Sequence, residues 1–438
     1  MPTMKFWNSN KVIGLLYLYF FSGIFLWANE WMWHGSFPWI YSYQDQEWKY
    51  WRTGNDGRFY QWSQSSGGWQ IYNDGQGLWQ NLDAPDLNNT QWQVWEENSS
   101  SYGGVFTLEK IKAAILASQS SLDLSYQGIE DLSPLAEAPH LRELFLQANS
   151  ISDLSPLQNL TNLEVLHLNS NLITDLSPLS NLLELKELYL DDNPLDDLSP
   201  LSGLGRLLRL SLADAGILSV NSLEGLRLLE ELNIRANSIS SIQALGDLNK
   251  LKFLDIGNNN ISDLSPINNF NNLSVLYGED NNITSISTIP ELPGLKELNL
   301  ANNQISQLAA LSEIDPSMTY LWLADFSQNQ INELQGIEHL QNLRILALSQ
   351  NGFSDLSALS QMNELSTLLI DFNGVADLSP ISNLPKLRGL YANNNQLSED
   401  TSADQMTQLV ELYMFDNNLT DVRKNEIQAA LSDVKLEL

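Results

Sequence analysis

An asparagine that returns every 22 residues constrains this chain more than any other feature. Asn149, Asn171 and Asn193 keep that spacing, and after one interval of 44 so do Asn237, Asn259, Asn281 and Asn303. The series resumes at Asn329 and runs through Asn351, Asn373, Asn395 and Asn417. Gln127 and Ala215 fill the same slot in two further units, which makes fourteen coils in phase. One unit reads Leu141-x-x-Leu144-x-Leu146-x-x-Asn149-x-Ile151-x-x-Leu154-Ser-Pro-Leu157-x-x-Leu160. A unit this short cannot bury its apolar face alone, so neighbours must stack into a solenoid. Leu144 and Leu146 are two apart, as on a strand whose alternate residues turn inward. The Asn follows at the bend, where its amide can satisfy backbone groups that would otherwise be buried unpaired. Ser-Pro recurs at 133–134, 155–156, 177–178, 199–200, 265–266 and 379–380. Ser is a favoured N-cap and Pro is tolerated at the first helical position, so each coil is expected to return through a short helical turn begun by Ser-Pro. The expected fold is an α/β solenoid: an arc with one parallel concave sheet of fourteen strands and helical end caps.

The solenoid is placed at residues 119–421. One coil is irregular, because Leu295 to Leu321 spans 26 residues instead of 22, with the extra length near Asp315–Tyr320. Counting back from Asn329 turns Leu321, Ala324 and Phe326 inward and leaves Trp322, Leu323 and Asp325 at the surface. The other register, with Leu321 and Leu323 inward, puts Asn329 out of place. Both open ends need covers. Residues 106–118 are amphipathic from Thr107 and fit an N-terminal cap helix. Residues 422–438 form the other cap, in which Val422, Ile427, Ala430 and Leu431 fall at helical spacing and Val434–Leu438 would add a last strand.

Ahead of the repeats the composition changes. Twelve of the 13 tryptophans occur by residue 95. Within residues 29–82 the runs around Trp48–Trp51, Arg58–Trp62, Trp69–Tyr72 and Leu78–Trp79 alternate aromatic and polar residues. They are separated by Gly54–Gly57, Gly67-Gly68 and Asn73–Gly75. That is strand-turn-strand spacing, read as a small Trp-rich antiparallel β-meander. Residues 83–105 are polar and read as a linker. At the start, Lys5 and Lys11 precede an apolar run from Val12 to Trp27. A run of 16 residues is short for a membrane span, which needs ~20. Residues 1–28 are therefore read as a secretory signal peptide. Ala28 suits the position before the cut, although Leu26 is a poor fit two residues earlier. The alternative is a membrane anchor at residues 12–27.

Charge and cysteine usage exclude several function classes. The 53 acidic and 22 basic residues give a net charge of −31, which nucleic-acid phosphates and anionic lipids would repel. No cysteine is present, which removes disulfides, thiolate catalysis and Cys-type zinc sites.

The 22-residue unit with its "DLSPLxxL" segment resembles the leucine-rich repeat of the internalin-like bacterial class. It also resembles the repeat of the type 1 protein phosphatase regulatory subunits. The resemblance covers roughly Gln119 to Asp421 and rests on core positions. It implies a scaffold whose variable concave residues bind a protein partner. The export signal favours the bacterial surface class. Internalins commonly carry wall-anchoring segments after the repeats; none follows here, so wall attachment is not carried over. The Trp-x-x-Tyr runs with Gly turns resemble aromatic–glycine wall-binding repeats, and Gly35–Tyr41 looks like a segment of exported bacterial proteins.

The repeat frame also names candidate binding residues. Exposed strand positions interleave aromatic or aliphatic residues with carboxylates: Phe145, His167, Tyr189, Phe253, Tyr277, Leu323, Ile345, Leu369, Tyr391, Tyr413 and Phe415. Adjacent exposed aromatics are typical protein-binding anchors, although aromatics are also simply good strand formers. Leu323, Ile345, Leu369, Tyr391, Tyr413 and Phe415 are expected to form one apolar patch rimmed by Asp325, Asp371 and Asp416. Asp191-Asp192, Asp196-Asp197 and Glu279-Asp280 could hold calcium, but solvated charge explains them too. His34, His140, His167 and His339 form no metal-binding pair, and neither a phosphate loop nor a nucleophile elbow occurs. The sequence therefore reads as a non-enzymatic scaffold without a cofactor, binding an unknown protein ligand. The alternative is a carbohydrate or cell-wall binder that uses the Trp-rich segment.

Overall fold

The computed structural model describes residues 31–33, 39–42, 47–53, 59–63, 68–73, 78–81 and 90–438, except 269, 315–319 and 400–401. The expected signal peptide lies outside the described residues. The first strands are β1 (Trp31–Trp33), β2 (Trp39–Ser42), β3 (Glu47–Thr53), β4 (Phe59–Ser63), β5 (Gly68–Asn73) and β6 (Leu78–Asn81). They pair in chain order as one antiparallel sheet, the meander read from the Gly-bounded aromatic runs.

The stretch expected to be a polar linker is not all linker. Helix α1 (Thr90–Glu97) and a 3₁₀ turn at Ser99–Ser101 lie inside it. Trp92 and Trp95 are buried, with their rings edge to face at 4.7 Å. Lys112 stands 5.5 Å from the Trp92 ring and 3.4 Å from Glu96. Two aromatics at helical spacing outweigh the polar composition around them.

Helix α2 (Val105–Leu116) stands where the first cap was expected. The repeats then form one parallel sheet of fifteen strands, from β7 (Ser121–Asp123) to β21 (Lys435–Glu437). Fourteen belong to the coils; the fifteenth is the terminal strand of the cap. In each coil the central strand residue, such as Leu144, Leu166 or Leu188, is buried, as are return-side leucines such as Leu154, Leu157 and Leu160. The 26-residue coil keeps the Asn register: Leu298 pairs with Ala324, and Ala324 and Phe326 are buried.

The asparagines bind the coils together. The Asn259 amide nitrogen donates to Ile256 O in its own coil (3.1 Å) and to Ile234 O in the preceding one (2.9 Å). Its amide oxygen accepts from Ile239 N–H at 3.0 Å. Asn149, Asn171, Asn281, Asn303 and Asn417 repeat this set. Asn329 does so across the long coil, reaching Leu300 O at 2.9 Å. Where Ala215 stands in the slot, Leu195 N–H turns to the Ala215 carbonyl at 3.2 Å instead. The residue before each ladder position is left-handed in every coil, with φ from 49° at Asp214 to 59° at Tyr126.

Two expectations are corrected. The Ser of Ser-Pro does not cap the return turn; it is the turn's first residue, followed by Pro. The capping oxygen belongs to the Asp two residues earlier. Asp153 accepts Ser155 N–H at 2.8 Å and its hydroxyl at 2.9 Å, and Asp263 and Asp377 do the same for Ser265 and Ser379. These hydrogen bonds hold the Asp263 carboxyl below its usual range. In the end helix α3 (Asp421–Ala430), Ile427 and Leu431 are buried but Val422 and Ala430 face solvent. Arg423 takes the inner place instead, bonded to Asp404 at 2.6 Å.

Asn259→Ala leaves carbonyls and an N–H unpaired in a buried bend. It should lower stability by about 1–3 kcal/mol in urea unfolding. An unchanged midpoint would show that these groups find other partners.

Candidate functional site

Because side chains alternate along a strand, each coil presents its first and third strand residues on the open face of the sheet. Parallel pairing aligns them into columns. Phe145, His167 and Tyr189 are neighbours in one column, as are Leu369, Tyr391 and Tyr413. Leu323 and Ile345 are neighbours in the other. All are half-buried.

Three clusters result. In the first, the His167 ring lies 4.8 Å from Phe145 and 4.3 Å from Tyr189. Burial holds the imidazole below its usual range, against the pull of Glu187 and Asp191. Next to it, Arg209 bridges Glu187 at 2.5 Å and Glu231 at 3.1 Å.

The middle cluster joins Phe253 to Tyr277, edge to face at 5.7 Å. The Tyr277 hydroxyl donates to Glu297 at 2.9 Å. Burial first, and that carboxylate second, push the phenol up to about 12. Arg235 reaches over Gly257 to pair with Glu279 two coils away, and lies 3.8 Å from Asp255. A Cβ on Gly257 would stand 2.5 Å from the guanidinium, so a larger residue there would push the Arg235 side chain aside. Burial raises the Asp255 carboxyl, although Gly257 N–H donates to it at 2.9 Å.

In the third cluster Tyr391 and Tyr413 stack face to face, 4.9 Å apart and 5° from parallel. Lys435 of β21 stands 5.0 Å from the Tyr413 ring and bonds its hydroxyl. The Tyr391 hydroxyl donates to Glu411 at 2.7 Å, and that carboxylate foremost pushes the phenol up to about 12.

The six-residue patch expected in the second half divides. Leu323 and Ile345 occupy one column and Leu369, Tyr391 and Tyr413 the other, with buried Ala347 beside Leu369. Phe415 lies one position beyond the strand, 41% exposed. Asp371 is tied inward by Asn393, whose N–H and amide donate to it at 2.8 and 2.7 Å.

The acidic pairs are also engaged. Asp191 accepts Ala213 N–H at 2.7 Å, Asp197 takes Ser199, and Glu279 takes Arg235. Among the described residues no cluster of three or more His, Asp or Glu is placed to hold a metal ion. Tyr126 and Phe372, which sequence reasoning passed over, are aromatics at the left-handed position, 77% and 53% exposed. The signal was available, since that slot otherwise holds Asp, Asn, Ser, Ala or Gln.

A family model for Leucine Rich repeats (2 copies) matches residues 161–203 and 227–269. These two stretches are leucine-rich repeats. The chain is similar in structure to an internalin of Listeria monocytogenes, with 26% identity and TM-score 0.64, covering 77% of this chain and 95% of that one. A leucine-rich-repeat protein of Leptospira interrogans aligns with 23% identity and TM-score 0.68, over 79% of this chain and 98% of that one. The ectodomain of an Arabidopsis thaliana membrane receptor kinase, solved with CASPARIAN STRIP INTEGRITY FACTOR 2, aligns with 23% identity and TM-score 0.57, over 70% of this chain and 42% of that one. A comparison with curated proteins finds no match. Among the described residues no helix is long and apolar enough to cross a membrane.

The raised Asp255 carboxyl gives a signed pH dependence. A group whose pKa rises on folding stabilises the fold below its unfolded value, near 3.8, and loses that contribution as pH rises through the folded value. Asp255→Asn keeps the acceptor for Gly257 N–H and removes the charge. The variant should melt at or above the wild type at neutral pH, and the gap should close as pH falls toward 3.8. A gap that widens on acidification would refute this assignment.

Proposed function

We propose that this protein is an exported, non-enzymatic scaffold that binds a protein partner on the concave face of its sheet. The observation that carries this reading is the Leu369–Tyr391–Tyr413 platform. Two tyrosine rings are held parallel, one hydroxyl is fixed on Glu411, and the far ring is braced by Lys435. Such rings offer a large area already fixed in orientation, so little entropy is lost on contact. The Phe145–His167–Tyr189 stack offers a second anchor of the same kind. Export rests on Lys5, Lys11 and the apolar run from Val12 to Trp27. A protein solved with a ligand on a similar fold, the Arabidopsis receptor ectodomain, makes a protein ligand a natural choice.

The full chain, immobilised, should capture a partner that mass spectrometry identifies. Tyr391→Ala with Tyr413→Ala should then weaken that complex by more than about a hundredfold while leaving circular dichroism unchanged. Unchanged affinity moves the site to Phe145, His167 and Tyr189. A glycan-array signal that survives deletion of residues 106–438 would instead assign recognition to the Trp-rich segment.

Export is read by N-terminal sequencing of the mature protein, which should lack roughly the first 28 residues. Intact chain in the membrane fraction would make residues 12–27 an anchor.

A further inference from the structure

Basic residues are scarce in the second half of the repeats, and three of the four share one place. Between Phe253 and Val422 the sequence has only Lys296, Arg344, Lys386 and Arg388. Lys296, Arg344 and Arg388 each stand immediately before a strand, on the edge of the sheet. The backbone lines them up: Trp322 N–H donates to Lys296 O at 3.0 Å and Arg344 N–H to Trp322 O at 2.8 Å. Ser366 N–H then donates to Arg344 O, and Arg388 N–H to Ser366 O, both at 2.8 Å. Five consecutive coils therefore present Lys, Trp, Arg, Ser and Arg in a row.

The same row in the first half is neutralised. Arg142 and Lys186 both pair with Glu164, and Lys252 pairs with Glu230 at 2.6 Å. In the second half Lys386, one row further out, pairs with Glu364 at 2.6 Å. Lys296 and Arg344 have no carboxylate partner among the described residues. Arg388 donates only to the carbonyls of Pro385 and Leu387, both at 3.1 Å. All three side chains are exposed, and Trp322 between two of them is half-buried. A protein with net charge −31 thus leaves three cations unneutralised along one edge, with its only tryptophan after residue 95 among them.

We infer that this edge is a docking site for an acidic amphipathic helix of a partner polypeptide. The inference is independent of the platform on the concave face. Successive charges are two coils apart, ~10 Å at ~4.8 Å per strand step. Carboxylates at positions i, i+7 and i+14 of an α-helix are ~10.5 Å apart, at 1.5 Å per residue. One turn of offset places an apolar residue at i+3 or i+4 against Trp322. The long Lys and Arg stems absorb the small difference in pitch. An extended strand turns alternate side chains away and matches this spacing less well. Carboxylates suit the charge of the row, whose local attraction must outweigh the long-range repulsion of a chain with net charge −31.

The test uses the full chain and a fluorescein-labelled helical peptide with Glu at i, i+7 and i+14 and Leu at i+3 and i+11. A scrambled peptide of the same composition and heparin serve as competitors. Anisotropy should show binding that weakens as salt rises from ~0.05 M to ~0.5 M. Lys296→Glu with Arg344→Glu and Arg388→Glu should weaken it by about tenfold or more. Arg142→Glu with Lys252→Glu, in the neutralised half, should not. The helical peptide should also shift tryptophan emission in the wild type and not in Trp322→Phe. Arg344→Gln alone, at an exposed position, keeps the test open should the triple variant misfold. Equal binding of the scrambled peptide, salt-independent binding, or unchanged affinity in the variants would overturn the inference. Preferential binding of heparin, lost in the same variants, would overturn it in favour of an anionic polysaccharide.

Discussion

One side-chain amide, set at the same bend in successive coils, holds this structure together. Its nitrogen spans two carbonyls, one in its own coil and one in the coil before, and its oxygen takes an N–H of the coil before. Asn is suited to this because it carries two donors and an acceptor on the shortest planar group available. An aspartate would lack the donors, and Gln127, which fills the slot in the first coil, bonds Ser125 O of its own coil with its amide nitrogen at 2.7 Å. The left-handed residue just ahead of it turns the chain so that the amide points inward. Where the staple is missing, a bend needs another partner for its backbone groups, as Leu195 N–H finds in Ala215 O, or bears the cost of leaving them buried and unpaired.

The same constraint explains what was legible in the sequence. The Asn period resolved the register of the 26-residue coil, where a leucine count alone allowed two answers, because Asn329 must still reach Leu300 O. The columns of the open face followed from that register. What failed to show was anything set by a local contact outside the repeat grammar. Asp153 caps Ser155 through a two-residue hydrogen bond, while the eye goes to the Ser-Pro pair. Helix α1 hides in polar sequence because only Trp92 and Trp95 mark its inner side. At the C-terminal cap Arg423 is buried through its pair with Asp404, which no hydrophobic pattern shows.

The candidate site was legible as a set of columns but not as clusters. Rings meet across coils only where neighbours are also large, so Phe145, His167 and Tyr189 join while buried Ala347 interrupts the second-half patch. Charge adds a further division. Arg235 reaches past Gly257 to Glu279, a pairing over two coils that a 22-residue frame does not suggest. This pairing sits in the middle cluster, beside the Phe253–Tyr277 ring pair and between the two outer aromatic clusters.

A staple that fixes the backbone frees the remaining positions, and the residues that break local preference then carry information. The slot before each ladder position favours Asp, Asn or Gly, since a left-handed backbone strains a bulky side chain. Tyr126 and Phe372 occupy it with their rings largely in solvent. Neither core packing nor backbone preference selects an exposed aromatic there. The same logic applies to the edge row. A surface lysine near a carboxylate is unremarkable, but three of the second half's four cations share the edge row, where none has a carboxylate partner among the described residues. Solubility alone would scatter them, because interspersed charge screens as well as segregated charge. Departures of this kind, in a scaffold whose fold requires none of them, are the positions at which contact with another molecule is best tested.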